Sequence, residues 1–245
     1  MRPVLVSLGG VRVHSYPAMV YLGLVFGLIA ENPVARAAGL ATAEVFAATI
    51  LLLIPALLGA RLLFVAEHWA IFHREPRRIW RRSEGGAAMY GGLALAVPLS
   101  VPVLAALHLS FWAFWDVATI PLLIGTVFTR IGCLLHGCCG GRPTSGPFGL
   151  DLPDHRGIWR RRLPTQLLEA GWAILLLFGV AAIWGQRPFD GAVYLSALMG
   201  YGLGRFALEL TREDHESRGV IRVPHVVSAA LVVLAFATFA LLRLG

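Results

Sequence analysis

Apolar residues occur in long runs along this chain, separated by short polar segments. A helix of about 20 apolar residues is long enough to cross a bilayer. The pattern predicts seven spans, at 16–31, 44–68, 86–108, 111–129, 164–184, 190–210 and 223–243. We therefore expect an all-α integral membrane protein with about seven transmembrane helices, and one polytopic domain over 1–245.

The polar segments between the spans are rich in arginine. Three of them, 73–84, 140–163 and 211–222, fall on one side of the membrane if all seven spans cross it. The segment 140–163 is also rich in proline and glycine, which predicts an extramembrane loop with a short hairpin rather than a helix. Counting positive charges places this side in the cytoplasm.

The composition supports a membrane protein and indicates which molecules it binds. The chain is 57% hydrophobic and 14% charged, its net charge is +7, and all 21 of its basic residues are arginine. Arginine binds phosphate in a bidentate geometry. Anionic lipid headgroups are therefore the expected partners, and no nucleic-acid-binding motif points elsewhere.

Three arginines lie inside the predicted spans: Arg61, Arg130 and Arg205. An arginine in mid-bilayer costs about 2.5–3.5 kcal/mol on insertion scales, so each needs either a route to the interface or a partner. For Arg61 and Arg130 taken singly, we favour a side chain that reaches the membrane surface over an interior site. Arg205 is followed by Glu209 and Arg212 at +4 and +7, on one helical face. That face either pairs its own charges or holds a phosphate.

Further polar positions leave two interpretations open. Gln166 and Glu169 lie in the first turns of the fifth span. Thr165 and Gln166 either cap and solvate the helix start or, together with Glu169, line a pocket. Tyr16 and Tyr90 are interfacial aromatics or site residues. Gly91 and Gly92 allow either close helix contact or access of a lipid headgroup to backbone N–H groups.

Every cysteine of the chain falls within 130–144. A zinc site needs four ligands, and Cys133, His136, Cys138 and Cys139 have the number but not a zinc-finger spacing. Cys-x4-Cys-Cys is also not the Cys-x-x-Cys of a redox pair. A disulfide stays open if the loop faces an oxidising compartment.

The segment 130–144 has a further interpretation, in which its glycines and cysteines matter for their small size. Glycines and cysteines form a pliable turn between Arg130 and Arg142, and Gly141 lies next to the second arginine. Such a turn suits a pocket in which backbone groups and two arginines surround an anion.

Taken together, these segments resemble the prolipoprotein diacylglyceryl transferase family over most of the chain, as a divergent branch with a cysteine-rich signature. The matching segments occur in order and are HSYPAMVYLGLVFGLIAE (14–31), GARLLFV (59–65), GGAAMYGGLAL (85–95), RIGCLLHGCCGGRPTSGPFGL (130–150), LPTQLLEA (163–170) and YGLGRFALELTRED (201–214).

The resemblance implies transfer of a diacylglyceryl group from phosphatidylglycerol to the lipobox cysteine thiol of a prolipoprotein, with no metal or other cofactor. The partners implied are phosphatidylglycerol or a related anionic phospholipid, a lipobox peptide and the membrane. Arg130 and Arg205 match the arginines expected to hold the lipid phosphate. The other substrate-binding candidates are Tyr16, Arg61, Gly91, Gly92, Gly141, Arg142, Gln166, Glu169, Glu209 and Arg212.

The chain departs from the family where a base is expected. Tyr90 replaces a histidine of the third span, and Leu163 replaces another at the start of the fifth-span element. His136 or His14 could take over, because an ordinary histidine titrates near neutral pH. Because these two histidines are replaced, a second function stays open: a family member that binds anionic phospholipid but does not transfer its diacylglyceryl group. The cysteines alone motivate a thiol-based membrane oxidoreductase.

The resemblance also implies a location and an orientation. The family is multi-pass in the bacterial plasma (inner) membrane, with a periplasmic N-terminus, a cytoplasmic C-terminus and its arginine-rich loops outside. Charge counting gives the reverse orientation. We expect the family arrangement, because arginines that bind headgroups need not obey the charge bias.

Overall fold

The computed structural model describes residues 4–8, 11–73, 75, 77, 79, 89–153, 157–212 and 223–244. Helices dominate this part of the chain: α1 (Ser15–Ala37), α2 (Thr42–Glu67), the one-turn α3 (Trp69–Phe72), α4 (Met89–Ala106), α5 (Phe111–His136), α6 (Thr165–Ile183), α7 (Ala192–Glu209) and α8 (Val223–Leu244). A 3-10 turn, Trp184–Gln186, extends α6. Two antiparallel hairpins pair β1 (Val4–Leu8) with β2 (Val11–His14) and β3 (Leu150–Pro153) with β4 (Trp159–Arg162).

The all-α prediction is confirmed, with seven long helices at the positions of the seven predicted spans. Five of the helices described are long and apolar enough to cross a membrane: α1, α2, α5, α8, and α6 with its 3-10 turn. Large apolar side chains on them face outward, such as Leu57 at 69% and Phe178 at 70% exposure. Such faces are typical of helices in lipid, whose hydrocarbon is as apolar as leucine.

Helix boundaries differ from prediction at one functionally important place. α5 continues to His136 instead of ending at 129, so Arg130 and Cys133 lie on the helix. The hairpin expected within 140–163 is present, whereas the hairpin before α1 was not predicted. Most of the arginine-rich segments 73–84 and 211–222 lies outside the described residues.

The chain forms two compact units, Met1–Glu31 with Trp115–Gly245, and Asn32–Phe114. The second unit is built on α2 and α4, which touch where Gly59 and Gly91 face each other. A single polytopic domain stays a prediction.

In the first unit, α6 packs on α7 and α7 on α8. The buried carboxylate of Asp116 fixes the start of α7 by accepting hydrogen bonds from the backbone N–H groups of Gly191 and Tyr194, both at 2.8 Å. These donors would otherwise have no partner at a helix start. An apolar cluster of Leu123, Val180, Val193 and Ala197 lies between α5, α6 and α7.

Candidate functional site

Three helices of the first unit bring charged side chains to one place. Arg130 lies near the C-terminal end of α5, Glu169 near the start of α6, and Arg205 and Glu209 in the second half of α7. A fifth residue, Arg212, follows the end of α7. We call these five residues the arginine group.

Glu169 is the centre of the arginine group. Its Oε1 accepts hydrogen bonds from Nη1 of Arg205 at 2.9 Å and from Nη2 of Arg212 at 2.8 Å. Nε of Arg130 lies 2.8 Å from Oε2, a charge contact without the alignment of a hydrogen bond. The Glu169 side chain is 7% exposed, and one buried carboxylate therefore holds guanidinium groups that would otherwise repel each other.

Glu209 supplies the second carboxylate. Its Oε2 lies 2.8 Å from Nη2 of Arg205 and 3.7 Å from Nε of Arg212. The ion pair expected from the helical spacing of Arg205 and Glu209 is thus present. Three guanidiniums and two carboxylates leave the group with one net positive charge, which suits it to bind an anion.

The structure corrects the placement of Arg212. It is not on the face of α7, because the helix ends at Glu209 and Arg212 forms a β-bridge with Gly141. N–H of Gly141 donates to the carbonyl of Leu163 and N–H of Arg142 to that of Thr211, both at 2.9 Å. This junction of three chain segments directs Arg212 back to Glu169.

The first turn of α6 helps to form the junction. The side chain of Gln166 donates to the carbonyl of Cys138 at 2.6 Å, and the hydroxyls of Thr165 and Thr211 are hydrogen-bonded at 3.0 Å. The interpretation of Thr165 and Gln166 as capping residues is wrong, because α6 starts after Pro164 without a side-chain cap. Both side chains instead hold neighbouring loops in place.

A small cleft opens on the arginine group. Its lining comprises Thr126, Arg130, Glu169, Trp172, Ala173, Tyr201, Arg205 and Leu208. Sequence reasoning missed Thr126, Trp172 and Tyr201. A signal was available for two of them, because Thr126 and Tyr201 each lie four residues before a site arginine and therefore on the same helical face.

The cysteine segment turns sharply after α5. Gly137 and Cys139 have φ angles of 85° and 61°, a left-handed conformation that is uncommon for a residue other than glycine. All three cysteines are free, and their sulfur atoms lie within 4.8 Å of one another. Hydrogen bonding with the side chains of Cys133 and Cys138, together with the positive charges of Arg212 and Arg130, holds the pKa of Cys139 below its usual range, although desolvation opposes this.

Other predicted site residues of this unit lie outside the charge network in the part of the chain that is described. His14 is exposed at the end of β2, and the side chain of Arg142 is exposed. The rings of Tyr16 and His136 lie 6.5 Å apart, beside the point where α1 passes Gly132 of α5.

Four predicted residues belong to the second unit. Nε of Arg61 donates to the carbonyl of Ile79 at 2.8 Å, and its guanidinium lies 5.5 Å from each ring centroid of Phe64 and Phe72. Gly91 and Gly92 pack against the backbone of α2, which supports the close-contact interpretation of these glycines. Tyr90 is half-buried at the start of α4.

Comparison with known proteins identifies the family of this chain. A family model described as prolipoprotein diacylglyceryl transferase matches residues 3–241. The chain belongs to that family.

Relatives named phosphatidylglycerol–prolipoprotein diacylglyceryl transferase are similar to this chain over most of its length. The Bacillus cereus (strain ATCC 14579) protein and a Bacillus anthracis protein are each 29% identical over 95% of this chain and 88% of their own length. The Bacillus mycoides (strain KBAB4) protein is 28% identical over the same shares. The family and the apolar helices together indicate a multi-pass protein of the bacterial inner membrane.

Proposed function

We propose that this chain transfers a diacylglyceryl group from phosphatidylglycerol to the lipobox cysteine thiol of a prolipoprotein, forming a thioether. The observation that supports this best is the convergence of three arginines on Glu169 at the wall of a cleft, in a chain of this family. The names of its relatives state the same donor and acceptor.

The chemistry requires a cationic site. The acceptor sulfur forms a bond to the glyceryl carbon while the C–O bond to phosphate breaks, and the electron pair leaves with glycerol phosphate. Negative charge therefore develops on the phosphate during the reaction. Preorganised guanidiniums stabilise that charge without having to reorient, and Arg130 and Arg205, which line the cleft, have the placement for it.

Glu169 and Glu209 act as positioning residues in this proposal. They do not touch the phosphate but hold the guanidiniums in place and offset their mutual repulsion. Tyr90, His136 and His14 are the candidates for accepting the proton of the incoming thiol. Tyr16, Arg61, Gly91, Gly92, Gly141, Arg142 and Gln166 are proposed to bind the substrates or to shape the site.

The test is transfer from labelled phosphatidylglycerol to a lipobox peptide by the purified protein. We expect Arg130→Ala and Arg205→Ala to lose at least about a hundredfold in rate, the order of magnitude for removing one charge-stabilising group. Arg187→Ala is the matched control, because Arg187 pairs with Asp190 at 3.6 Å and not with the arginine group. Equal activity in all three variants would contradict the assignment.

A second candidate function follows from Tyr90, which stands where the family has a histidine. A chain without a competent base would bind anionic phospholipid and release no glycerol phosphate. The transfer assay separates the two functions, since binding of phosphatidylglycerol with no product in any condition favours the second.

A further inference from the structure

The three cysteines are not needed to hold the lipid phosphate, yet the fold gathers them beside the arginines that are. Cys133 is buried on the last turn of α5, Cys138 is half-buried and Cys139 is exposed. Their sulfur atoms lie within 4.8 Å of one another. Cys133 lies one helical turn after Arg130 on α5. Cys139 lies two residues before Gly141, which forms the β-bridge with Arg212, so the thiols are next to the arginine group.

The three sulfurs are close enough together to share one ion. Thiolates bound to zinc at about 2.3 Å in a tetrahedral arrangement lie about 3.8 Å from one another. The observed group needs to contract by only about 1 Å to reach that distance. A disulfide would join two of the sulfurs and leave the third without a role.

The turn that gathers the sulfurs is held in place from several sides. N–H groups of Gly137 and Cys138 donate to the carbonyl of Cys133 at 3.0 Å, and Gln166 donates to the carbonyl of Cys138. Cys139 keeps a left-handed φ of 61°, which costs energy for a residue with a Cβ. A backbone strained in this way at a ligand position is a common feature of functional sites.

We propose that Cys133, Cys138 and Cys139 bind one zinc ion and leave its fourth position open for the thiol of the acceptor peptide. Among the described residues, no histidine nitrogen or carboxylate oxygen joins the three sulfurs, and the exposed Cys139 leaves that side accessible. Zinc with three protein ligands and one open position is the arrangement of catalytic sites.

The second half of the proposal rests on the proposed transferase function. An acceptor thiol that binds the ion releases its proton to water and is held as a thiolate, which is the nucleophilic form. Its sulfur then forms the C–S bond as glycerol phosphate leaves with the C–O electron pair. Three thiolates and one Zn²⁺ carry one net negative charge, which the adjacent arginine group offsets.

The first experiment measures metal binding by the full-length protein in detergent, stripped of metal and then titrated with Zn²⁺ or with Co²⁺ as a spectroscopic probe. We expect one ion per chain and a sulfur-to-cobalt charge-transfer band. Cys138→Ser and Cys139→Ser should each abolish stoichiometric binding, while their helical circular dichroism stays that of the parent. His136→Ala is the matched control and should keep the band. Absence of binding by the reduced parent protein, or a disulfide between two of these cysteines in protein isolated with thiol-blocking reagent, would overturn the proposal.

The second experiment separates this proposal from the proposed function. A lipobox peptide added to the Co²⁺ protein should change the ligand-field bands, and a peptide with serine in place of its cysteine should not. Full transfer by metal-free protein would overturn the role of the ion and leave the transferase function standing. No transfer with or without Zn²⁺, despite a band shift with the cysteine peptide, would overturn the transferase function and leave the site standing.

Discussion

At the scale of single residues, Glu169 is the position on which the arginine group depends. It contacts all three arginines, and it is buried. Removing one partner from a buried ion pair leaves uncompensated charge and costs about 3–5 kcal/mol. We expect Glu169→Gln to lower the free energy of unfolding by about 3 kcal/mol and to abolish transfer, measured by denaturation in detergent and by the peptide assay.

The control for Glu169→Gln is the double variant Glu169→Gln/Arg130→Gln. It removes one of the guanidiniums that Glu169 compensates, so it should regain part of the lost stability while staying inactive. A Glu169→Gln protein as stable as the parent would show that the carboxylate does not hold the group together.

All five residues of the arginine group are candidates from the sequence alone, but the sequence does not show that Glu169 is the centre of the group. Arg205 and Glu209 are four residues apart on one helix, and such a pair is visible in the sequence because the spacing alone brings the side chains together. Glu169 meets partners on three other segments, and those contacts depend on how helices pack. Arg212 was assigned to a helical face for the same reason, since the β-bridge to Gly141 is not encoded in local spacing.

At the scale of elements, the junction at Gly141 determines where α6 and the end of α7 meet. A Cβ at this position would clash with the Thr165 hydroxyl and lie 2.6 Å from the carbonyl oxygen of Thr211. We expect Gly141→Ala to cost about 2 kcal/mol of stability and to weaken transfer by displacing Arg212. Gly171→Ala on α6 is the matched control, because nothing lies within 4 Å of a Cβ there. An equal loss in both variants would contradict this role of the junction.

The contact between α2 and α4 is a second test at this scale. A methyl group at Gly91 would meet the carbonyl oxygen of Gly59 and the Cβ of Leu63, so the helices would have to separate. We expect Gly91→Ala to lower stability by about 1–3 kcal/mol, and Gly125→Ala, with open space around its Cβ, to be neutral. A Gly91→Ala protein that keeps its stability but no longer binds phosphatidylglycerol would support headgroup contact instead.

The elements themselves follow closely from the apolar pattern, because a membrane-crossing helix needs only length and hydrophobicity. The departures are the hairpin before α1, the longer C-terminal end of α1 and the end of α5. Arg130 interrupts the apolar run, but apolar residues follow it and the helix continues to His136. Arg130 lies inside this helix and is paired there with Glu169 of α6, a tertiary contact that periodicity does not reveal.

At the scale of the whole molecule, charge counting and family resemblance give opposite orientations. The positive-inside rule describes how arginine and lysine in short loops bias insertion. In this chain, three arginines near the loop ends of α5 and α7 are held by glutamates in a buried group, and charges fixed in this way serve a site. We therefore give less weight to the count and expect the N-terminus and the loop 137–164 outside, with the C-terminus in the cytoplasm.

Two reporter fusions test both orientation and the number of crossings. Alkaline phosphatase fused at Gly245 should be inactive and a fluorescent protein there should fluoresce, whereas activity of the phosphatase would reverse the orientation. A phosphatase fusion at Gly146 distinguishes seven crossings from five. If α4 and α7 span the membrane, residue 146 is outside and the fusion is active. If only the five helices that are both long and apolar enough span, the same fusion is cytoplasmic and inactive, although the location of the C-terminus is unchanged.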